Sequence, residues 1–309
     1  MATTNGSTAI RDKILASLAR YRALRIGKFP CAFWRLSAHP GLTADVKKVA
    51  LELTPSFNDD PITDVQGHHL NKFEGALAKD PAEPRWAIFY NKNIQHVGRI
   101  NFTLAHELGH YMLHRKEAGI NGFECGMKDT ISPDSSYRQF EDEANIFAAS
   151  LLMPANDFRL QTEKEKFSFD LLGHCADRYE VSLTSAVLRW IEFTSKRAIA
   201  VFSEDGYMHW AKSSTKAFKS GRYFATRSGP IEIPAGSQAL EQSFSFMARD
   251  GVRHGPGIWF KDEEVTEHTI YSEDYEKTLT VLLLDDISRY NQLDEEPEED
   301  VADRFAKGF

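Results

Sequence analysis

The sequence predicts an α+β fold, and three patterns along the chain carry this prediction. A short, apolar and aromatic-rich run typical of a strand ends at residue 91. A strongly apolar helical pattern then spans 101–114, and a second helical pattern follows at 140–153. A new series of strand-like runs begins near residue 196. We therefore expect one mixed domain with a small sheet and a further α/β or β-rich domain nearer the C-terminus.

These patterns divide the 309 residues into five segments. Residues 1–72 are predicted to be a helical region that packs on the next domain, which is the mixed domain at 73–165. Residues 166–195 predict a pair of helices, and residues 196–290 the C-terminal domain. Residues 291–309 are rich in acids and predict a disordered tail.

The first elements in chain order are two helices and two strands. Thr8–Leu24 is helix-like and basic, and Leu42–Leu53 has the pattern of an amphipathic helix. The aromatic-rich run Trp86–Asn91 predicts the second strand. The first, Phe73–Leu77, is expected only from the family resemblance described below. If the second strand lies at a sheet edge, an extended peptide can pair with its backbone. The alternative is a fully paired interior strand.

The apolar helix after these strands contains the sequence His-Glu-Leu-Gly-His at 106–110. His106 and His110 are four residues apart, so a helix places both on one face, where they can bind one metal ion. Glu107 lies beside them. Zinc lowers the pKa of a water that it binds to roughly 7, and a nearby carboxylate can take the proton. The motif therefore predicts two zinc ligands and a general base, the alternative being a core helix with hydrogen-bonded histidines.

A third metal ligand is expected from a different segment, because catalytic zinc sites use three protein ligands. The helical pattern from Phe140 to Met153 offers Glu141, which shares a face with Asn145. In this arrangement Glu141 binds the metal while Asn145 holds a histidine. Glu143 is the second choice for the ligand, and a third reading is that these acids only complement the helix dipole. His114 extends the histidine row but lies too far along the helix to share the metal, so we expect it to be structural.

The flanks of the motif resemble those of a known family. The runs Phe-Thr-Leu-Ala-His-Glu-Leu-Gly-His-Tyr-Met-Leu-His at 102–114 and Glu-Asp-Glu-Ala-Asn-Ile-Phe-Ala-Ala-Ser-Leu-Leu-Met-Pro at 141–154 resemble the ImmA/IrrE family of bacterial metallopeptidases. The resemblance implies a zincin-like peptidase domain of the gluzincin type. It also implies a Zn²⁺ cofactor held by His106, His110 and Glu141, with Glu107 as the catalytic base.

Two regions beyond the motif have a predicted role. Arg115–Arg138 is rich in glycine and polar residues and reads as a long loop, which suits a lid or a substrate-selecting segment. The pattern from Phe169 to Thr194 predicts two helices separated by a turn at 180–182, similar to the helix-turn-helix segment of several ImmA/IrrE relatives. Its second helix offers only Arg189 as a basic residue, so DNA binding is not expected.

The C-terminal domain has the strand pattern most clearly. Strands are predicted at Ala198–Phe202 and Gly206–Trp210, joined by a turn. Further strands are predicted at Gly257–Phe260, His268–Tyr271 and Thr278–Leu284. By resemblance this domain is a ligand sensor, or alternatively it recognises the substrate protein.

Composition predicts a cytoplasmic protein. The three cysteines, Cys31, Cys125 and Cys175, are far apart and lack a Cys-x-x-Cys pair, which is typical of reduced thiols. We expect no signal peptide and no transmembrane helix, because the chain lacks a long apolar run. The formal net charge is −8; from residue 292 onward seven acids and two basic residues give −5, which leaves −3 for the rest.

Together these features predict a zinc endopeptidase. By resemblance its substrate is a regulatory protein, specifically a helix-turn-helix transcriptional repressor whose cleavage relieves repression. One alternative is a non-proteolytic, metal-containing regulator that acts by binding protein or DNA. Another is a peptidase that acts on a toxin–antitoxin component. The sequence gives no indication of the oligomeric state.

Overall fold

The computed structural model describes residues 44–56, 59–70, 73–117, 123–125, 135–241, 246–272 and 276–286. The described residues form helices and two sheets, which confirms the α+β class. They divide into two compact units. Unit 1 contains the described residues up to Phe158 together with Ala176–Ser182, and unit 2 contains Arg159–Cys175 and the described residues from Leu183 onward. The predicted helix at Thr8–Leu24 and the predicted tail at 291–309 lie outside the described residues.

Unit 1 begins with helix α1, Val46–Leu53. Asp45 caps its N-terminus by accepting a hydrogen bond from the Lys48 backbone N–H at 3.1 Å. Its apolar side is buried through Val46, Val49 and Ala50. This agrees with the amphipathic pattern, although the helix begins four residues later than Leu42.

The sheet of unit 1 has four strands in the order β1-β3-β2-β4. The strands are β1 (Ile62–His68), β2 (Gly75–Lys79), β3 (Trp86–Asn91) and β4 (Phe123–Cys125). β3 pairs with β1 in parallel and with β2 in antiparallel orientation, and β2 also pairs antiparallel with β4.

This topology corrects three predictions from the sequence. The strand that begins at Trp86 lies in the interior of the sheet, so the hypothesis that it forms an edge is wrong. β1 falls in the region 1–72, for which we predicted helices and no strand. The segment Arg115–Arg138, predicted to be a loop, contains β4. Its last four residues belong to a helix that begins at Ser135. β4 has only three residues and β1 is only partly buried, and such strands leave a weak pattern in the sequence.

Two long helices complete this part of the molecule. Helix α2 runs from Val97 to His114 and helix α3 from Ser135 to Leu152. A Cβ atom added at Gly109 would lie 3.2 Å from both the Cα and the carbonyl oxygen of Ala144. Glycine at this position therefore lets the backbones of α2 and α3 approach closely.

Three shorter helices follow, and the chain passes between the two units along them. They are α4 (Ala155–Thr162), α5 (Phe169–Tyr179) and α6 (Leu183–Phe193). The pattern from Phe169 to Thr194 predicted α5 and α6 but not α4. Glu180, directly after α5, has a positive φ of 47°, which suits the turn expected there.

Unit 2 contains a five-stranded antiparallel sheet with the order β6-β5-β9-β8-β7. The strands are β5 (Arg197–Glu204), β6 (Tyr207–Ser213), β7 (Val252–His254), β8 (Val265–Ser272) and β9 (Lys277–Leu284). Three short helices lie between them: α7 (Thr215–Lys219), α8 (Gln238–Glu241) and α9 (Phe246–Asp250).

The strand predicted at Gly257–Phe260 is wrong, because these residues form turns and bends. Their apolar side chains contribute to the core, where Trp259 is 5% exposed and Ile258 and Phe260 are partly buried. An apolar run buried in a loop has the same local pattern as a buried strand, so the sequence alone does not separate the two. Among the described residues, none of the helices is long and apolar enough to cross a membrane.

Candidate metal centre

Helices α2 and α3 bring His106, His110 and Glu141 together in unit 1. One nitrogen from each histidine and one carboxylate oxygen all lie within 4.8 Å of one another. The Nε2 atoms of His106 and His110 are 2.9 Å apart. Glu141 Oε2 lies 3.3 Å from His106 Nε2, and Glu141 Oε1 lies 3.4 Å from His110 Nε2. The structure thus groups three of the four residues that the sequence singled out.

The donor atoms fit a tetrahedral metal ion in chemistry and in spacing. Zinc binds imidazole nitrogen and carboxylate oxygen at about 2.0–2.1 Å, and two such ligands on a tetrahedron lie about 3.3 Å apart. The two distances from Glu141 have this value, and the distance between the histidine nitrogens is somewhat shorter. Imidazole and carboxylate also bind other divalent ions. The donor set therefore suits divalent metals in general, and zinc best among them.

The electrostatics of the cluster agree with a site built for positive charge. Although burial opposes it, hydrogen bonds with His106 and His110 hold the pKa of Glu141 well below its usual range. Burial lowers the pKa of His110 to about 4, despite the opposing hydrogen bond with Glu141. For His106 the cost of burial is outweighed by Glu141 and by the charge of Glu107, so its pKa is raised. Glu141 is therefore ionised and His110 neutral, as metal ligands must be.

Glu107 lies on α2 next to His106, and its side chain is fully buried. A Cβ atom added at Gly75, the first residue of β2, would lie 2.8 Å from Glu107 Oε1 and 2.5 Å from the Thr103 side chain. The absence of a side chain at Gly75 therefore leaves the space that the Glu107 carboxylate occupies. Nothing in the sequence pattern identified Gly75, because its role depends on a contact between a strand and a distant helix.

Two further polar residues of α3, Asn145 and Glu143, contact histidines of α2. Asn145 Oδ1 accepts a hydrogen bond from His106 Nδ1 at 3.0 Å, the arrangement expected from their spacing. Glu143, the alternative third ligand, instead places Oε2 2.9 Å from His114 Nε2. The metal-binding group found among the described residues does not include it. His114 is likewise outside the group, but its Nδ1 lies 3.1 Å from His110 Nδ1.

Comparisons with known proteins agree with this geometry. A model of the family Peptidase_M78, described as the IrrE N-terminal-like domain, matches residues 59–190. This range extends the expected peptidase segment, 73–165, in both directions. The chain is 33% identical to the metallopeptidase ImmA of Bacillus subtilis over 84 residues, which is 27% of this chain and 44% of that protein. The match thus spans less than half of the length of this relative.

A solved structure of a transcriptional regulator from Mycobacterium tuberculosis has a similar fold, with a TM-score of 0.50 and 16% sequence identity. The similarity covers 89% of this chain and 76% of the regulator. At this identity the similarity concerns the fold alone. Residues 59–190 match the IrrE N-terminal-like family and contain the His106–His110–Glu141 cluster. Together with the 33% identity to a metallopeptidase, this supports an ImmA/IrrE-type peptidase in this part of the chain.

Proposed function

We propose that the chain is a zinc-dependent endopeptidase, with His106, His110 and Glu141 as metal ligands and Glu107 as the catalytic base. The observation that carries this proposal is the convergence of two imidazole nitrogens and a carboxylate oxygen next to a buried glutamate on the same helix. A module that only binds a partner has no need of Glu107 at this position. The match of residues 59–190 to a peptidase family supports the same activity.

The protein side chains have separate tasks in this mechanism. A bound zinc ion would activate a water molecule and polarise the peptide carbonyl. Glu107 accepts the proton of the attacking water and passes it to the leaving amine. Asn145 holds the His106 ring by its Nδ1 atom, which keeps His106 Nε2 directed towards the other ligands. Gly75 leaves room for the Glu107 carboxylate, because any side chain there would displace it.

We further propose that an extended substrate pairs with the outer edge of β4. Within the described part of unit 1, β4 and β1 are the edge strands, and β3 is paired on both sides. β4 pairs with β2 in the register that puts Cys125 opposite Gly75, the residue in contact with Glu107. A peptide added to this edge gains backbone hydrogen bonds near the base.

We propose a regulatory protein as the substrate, in particular a helix-turn-helix repressor, whose cleavage would relieve repression in the cytoplasm. The 33% identity to a metallopeptidase supports a protein substrate, and the choice of a repressor rests on the resemblance of the flanking sequences to the ImmA/IrrE family. A direct role in DNA binding has little support from α6. Its one basic residue, Arg189, is 4% exposed and forms an ion pair with Glu192 at 2.8 Å, so its charge is not presented to phosphate.

The test is proteolysis by wild type and by Glu107→Gln. The full chain, loaded with Zn²⁺, is incubated with each purified helix-turn-helix repressor and each antitoxin encoded beside it in its genome. We expect wild type to cleave a repressor and Glu107→Gln to lose at least about 100-fold in rate while retaining zinc, since only the base is removed. Mass spectrometry identifies the cleaved bond, and elemental analysis measures the metal.

The ligand variants give a different result. His106→Ala and Glu141→Ala should lose both zinc and cleavage. Cleavage of an antitoxin instead of a repressor would replace the proposed substrate class. Equal cleavage by wild type and Glu107→Gln would contradict the catalytic assignment. Zinc-loaded wild type that binds its repressor without cleaving it would favour the non-proteolytic regulator.

A further inference from the structure

A second buried carboxylate–histidine pair, Glu143 and His114, contacts the proposed ligand His110. His114 and Glu143 are each 1% exposed, and His114 Nε2 lies 2.9 Å from Glu143 Oε2. Gln139 Nε2 donates to the other carboxylate oxygen of Glu143 at 2.8 Å. The Phe140 ring packs on His114 with 4.6 Å between the ring centroids. The pair is therefore held in place on several sides, and it contacts the cluster through His110.

The hydrogen bonds of this pair have a defined direction. An ionised carboxylate only accepts, so His114 Nε2 carries the hydrogen that faces Glu143. In the His114 tautomer that carries only this hydrogen, Nδ1 is an acceptor, and His110 Nδ1, 3.1 Å away, is the donor. This leaves the lone pair of His110 on Nε2, the atom that faces His106 and Glu141. The chain from Glu143 through His114 thus sets which nitrogen of His110 is available to a metal ion.

The two histidine ligands differ in this respect. His106 is held directly by the neutral amide of Asn145, whereas His110 is connected to a carboxylate through a second imidazole. A carboxylate that accepts from the outer nitrogen of a metal-binding histidine fixes the ring and makes its inner nitrogen a stronger donor. For His110, the Glu143 carboxylate has this effect through the intervening His114 ring.

We propose that Glu143 and His114 are positioning residues that hold His110 in its metal-binding form and thereby set the affinity of the site for zinc. This inference rests on the proposed function, since it assumes that His110 is a ligand. It gives a role to Glu143, the third acid of α3, and to His114, the third histidine of α2, neither of which is among the proposed metal ligands.

The test measures metal affinity and ligand field in the full chain. Zinc affinity is determined by competition with a chromophoric chelator, and the visible absorption of the Co²⁺-loaded protein reports the geometry around the metal. We expect Glu143→Leu to weaken zinc binding about 10-fold to 100-fold and to alter the Co²⁺ bands. Glu143→Gln retains an acceptor for His114 but loses the charge, so its loss should be smaller and in the same direction.

A buried glutamate in unit 2 gives a matched control. Glu267 is fully buried, and its Oε2 lies 2.8 Å from His254 Nε2. It is thus a buried acid beside a histidine in the unit that does not contain the proposed ligands. Glu267→Gln should leave zinc affinity unchanged. Circular dichroism of the metal-free variants verifies that each is folded, and if Glu143→Leu does not fold, Glu143→Gln decides.

Two outcomes would overturn the inference, and they differ in what else they affect. If the folded Glu143 variants bind zinc as tightly as wild type and show an unchanged Co²⁺ spectrum, the positioning role is refuted. The proposed function is unaffected by this result, because wild type still binds zinc. Failure of wild type to bind either Zn²⁺ or Co²⁺ would remove the proposed function and this inference together.

Discussion

At the scale of single residues, helix spacing in the sequence predicted the grouping that forms the candidate metal centre. The spacing of His106 and His110 requires only helical geometry, and Glu141 shares a helix face with Asn145. The structure groups the two histidines with Glu141 and places Asn145 on His106. The sequence did not predict two contacts that depend on tertiary packing. These are the proximity of Gly75 to Glu107 and the pairing of His114 with Glu143.

Gly75→Ala tests the space around the proposed base. The added methyl group would lie 2.8 Å from Glu107 Oε1 and 2.5 Å from Thr103, so the Glu107 side chain must move. A displacement of about 1 Å can reduce turnover by about 100-fold, whereas the ligands are untouched. We therefore expect a loss of roughly 10-fold to 100-fold in kcat with normal zinc content, measured on the repressor substrate.

Gly255→Ala provides the control for this substitution, because a Cβ atom added at Gly255 meets nothing within 4 Å. Its kcat should equal that of wild type. Normal turnover in Gly75→Ala would mean that the glycine does not determine the position of Glu107.

At the scale of elements, helices were easier to predict than strand partners. The apolar patterns of α2, α5 and α6 are local, since they repeat within each helix. The pairing of β1 with β3 is a contact between distant segments, and no local pattern encodes it. For the same reason the interior position of β3 was only one of two alternatives from the sequence, and the edge hypothesis was wrong.

Two helical glycines predict opposite effects on stability. A Cβ atom added at Gly98, in the first turn of α2, would lie 2.4 Å from the backbone carbonyl carbon of Val181 in the same unit. Backbone cannot move aside as a side-chain end does, so Gly98→Ala should lower the free energy of unfolding by about 1–3 kcal/mol. Gly173 in α5 has nothing within 4 Å, and Gly173→Ala should raise that free energy by about 0.5–1 kcal/mol.

Urea unfolding at constant pH, followed by circular dichroism, measures both values. The pair controls for the general effect of alanine on helix propensity, which is the same in sign at both sites. A stabilising Gly98→Ala would show that the start of α2 does not pack against the Val181 backbone as described.

At the scale of the whole molecule, the formal net charge of −8 is compatible with many functions, so the function follows from the site and not from composition. The sequence predicted the α+β class and the change to a strand-rich segment near residue 196. It did not predict the division into units, in which Ala176–Ser182 joins unit 1 although its neighbours on both sides belong to unit 2. Such a division depends on three-dimensional packing that has no signature in local composition.

His268 contributes to the pH dependence of the free energy of unfolding. Burial lowers the pKa of His268 in unit 2, against a hydrogen bond to the Arg249 carbonyl oxygen and the charge of Asp250. Its ring packs edge-on against Phe167, with 4.9 Å between the ring centroids. Because the folded pKa is below the unfolded value of about 6.5, protonation favours the unfolded chain. The stability is fully present above pH 6.5 and declines below it, by at most about 1.4 kcal/mol per pH unit for one proton.

His268→Phe removes this titration while retaining an aromatic ring. The midpoint of urea unfolding at pH 7.5, 6.5 and 5.5 should decline less for the variant than for wild type. The variant is expected to be less stable at pH 7.5, since the Arg249 carbonyl loses its donor. Parallel pH profiles for the two proteins would contradict the contribution of His268.

The close approach of α2 and α3 at Gly109 and Ala144 has one further consequence. The proposed ligands come from both helices, so a bound ion would act as a removable cross-link between two segments that are far apart in the chain. Like a disulfide, such a link reduces the freedom of the unfolded chain, but it opens with a chelator instead of a reductant. The proposed catalytic ion would then also stabilise the folded domain, and removing the metal would lower its rigidity together with its activity.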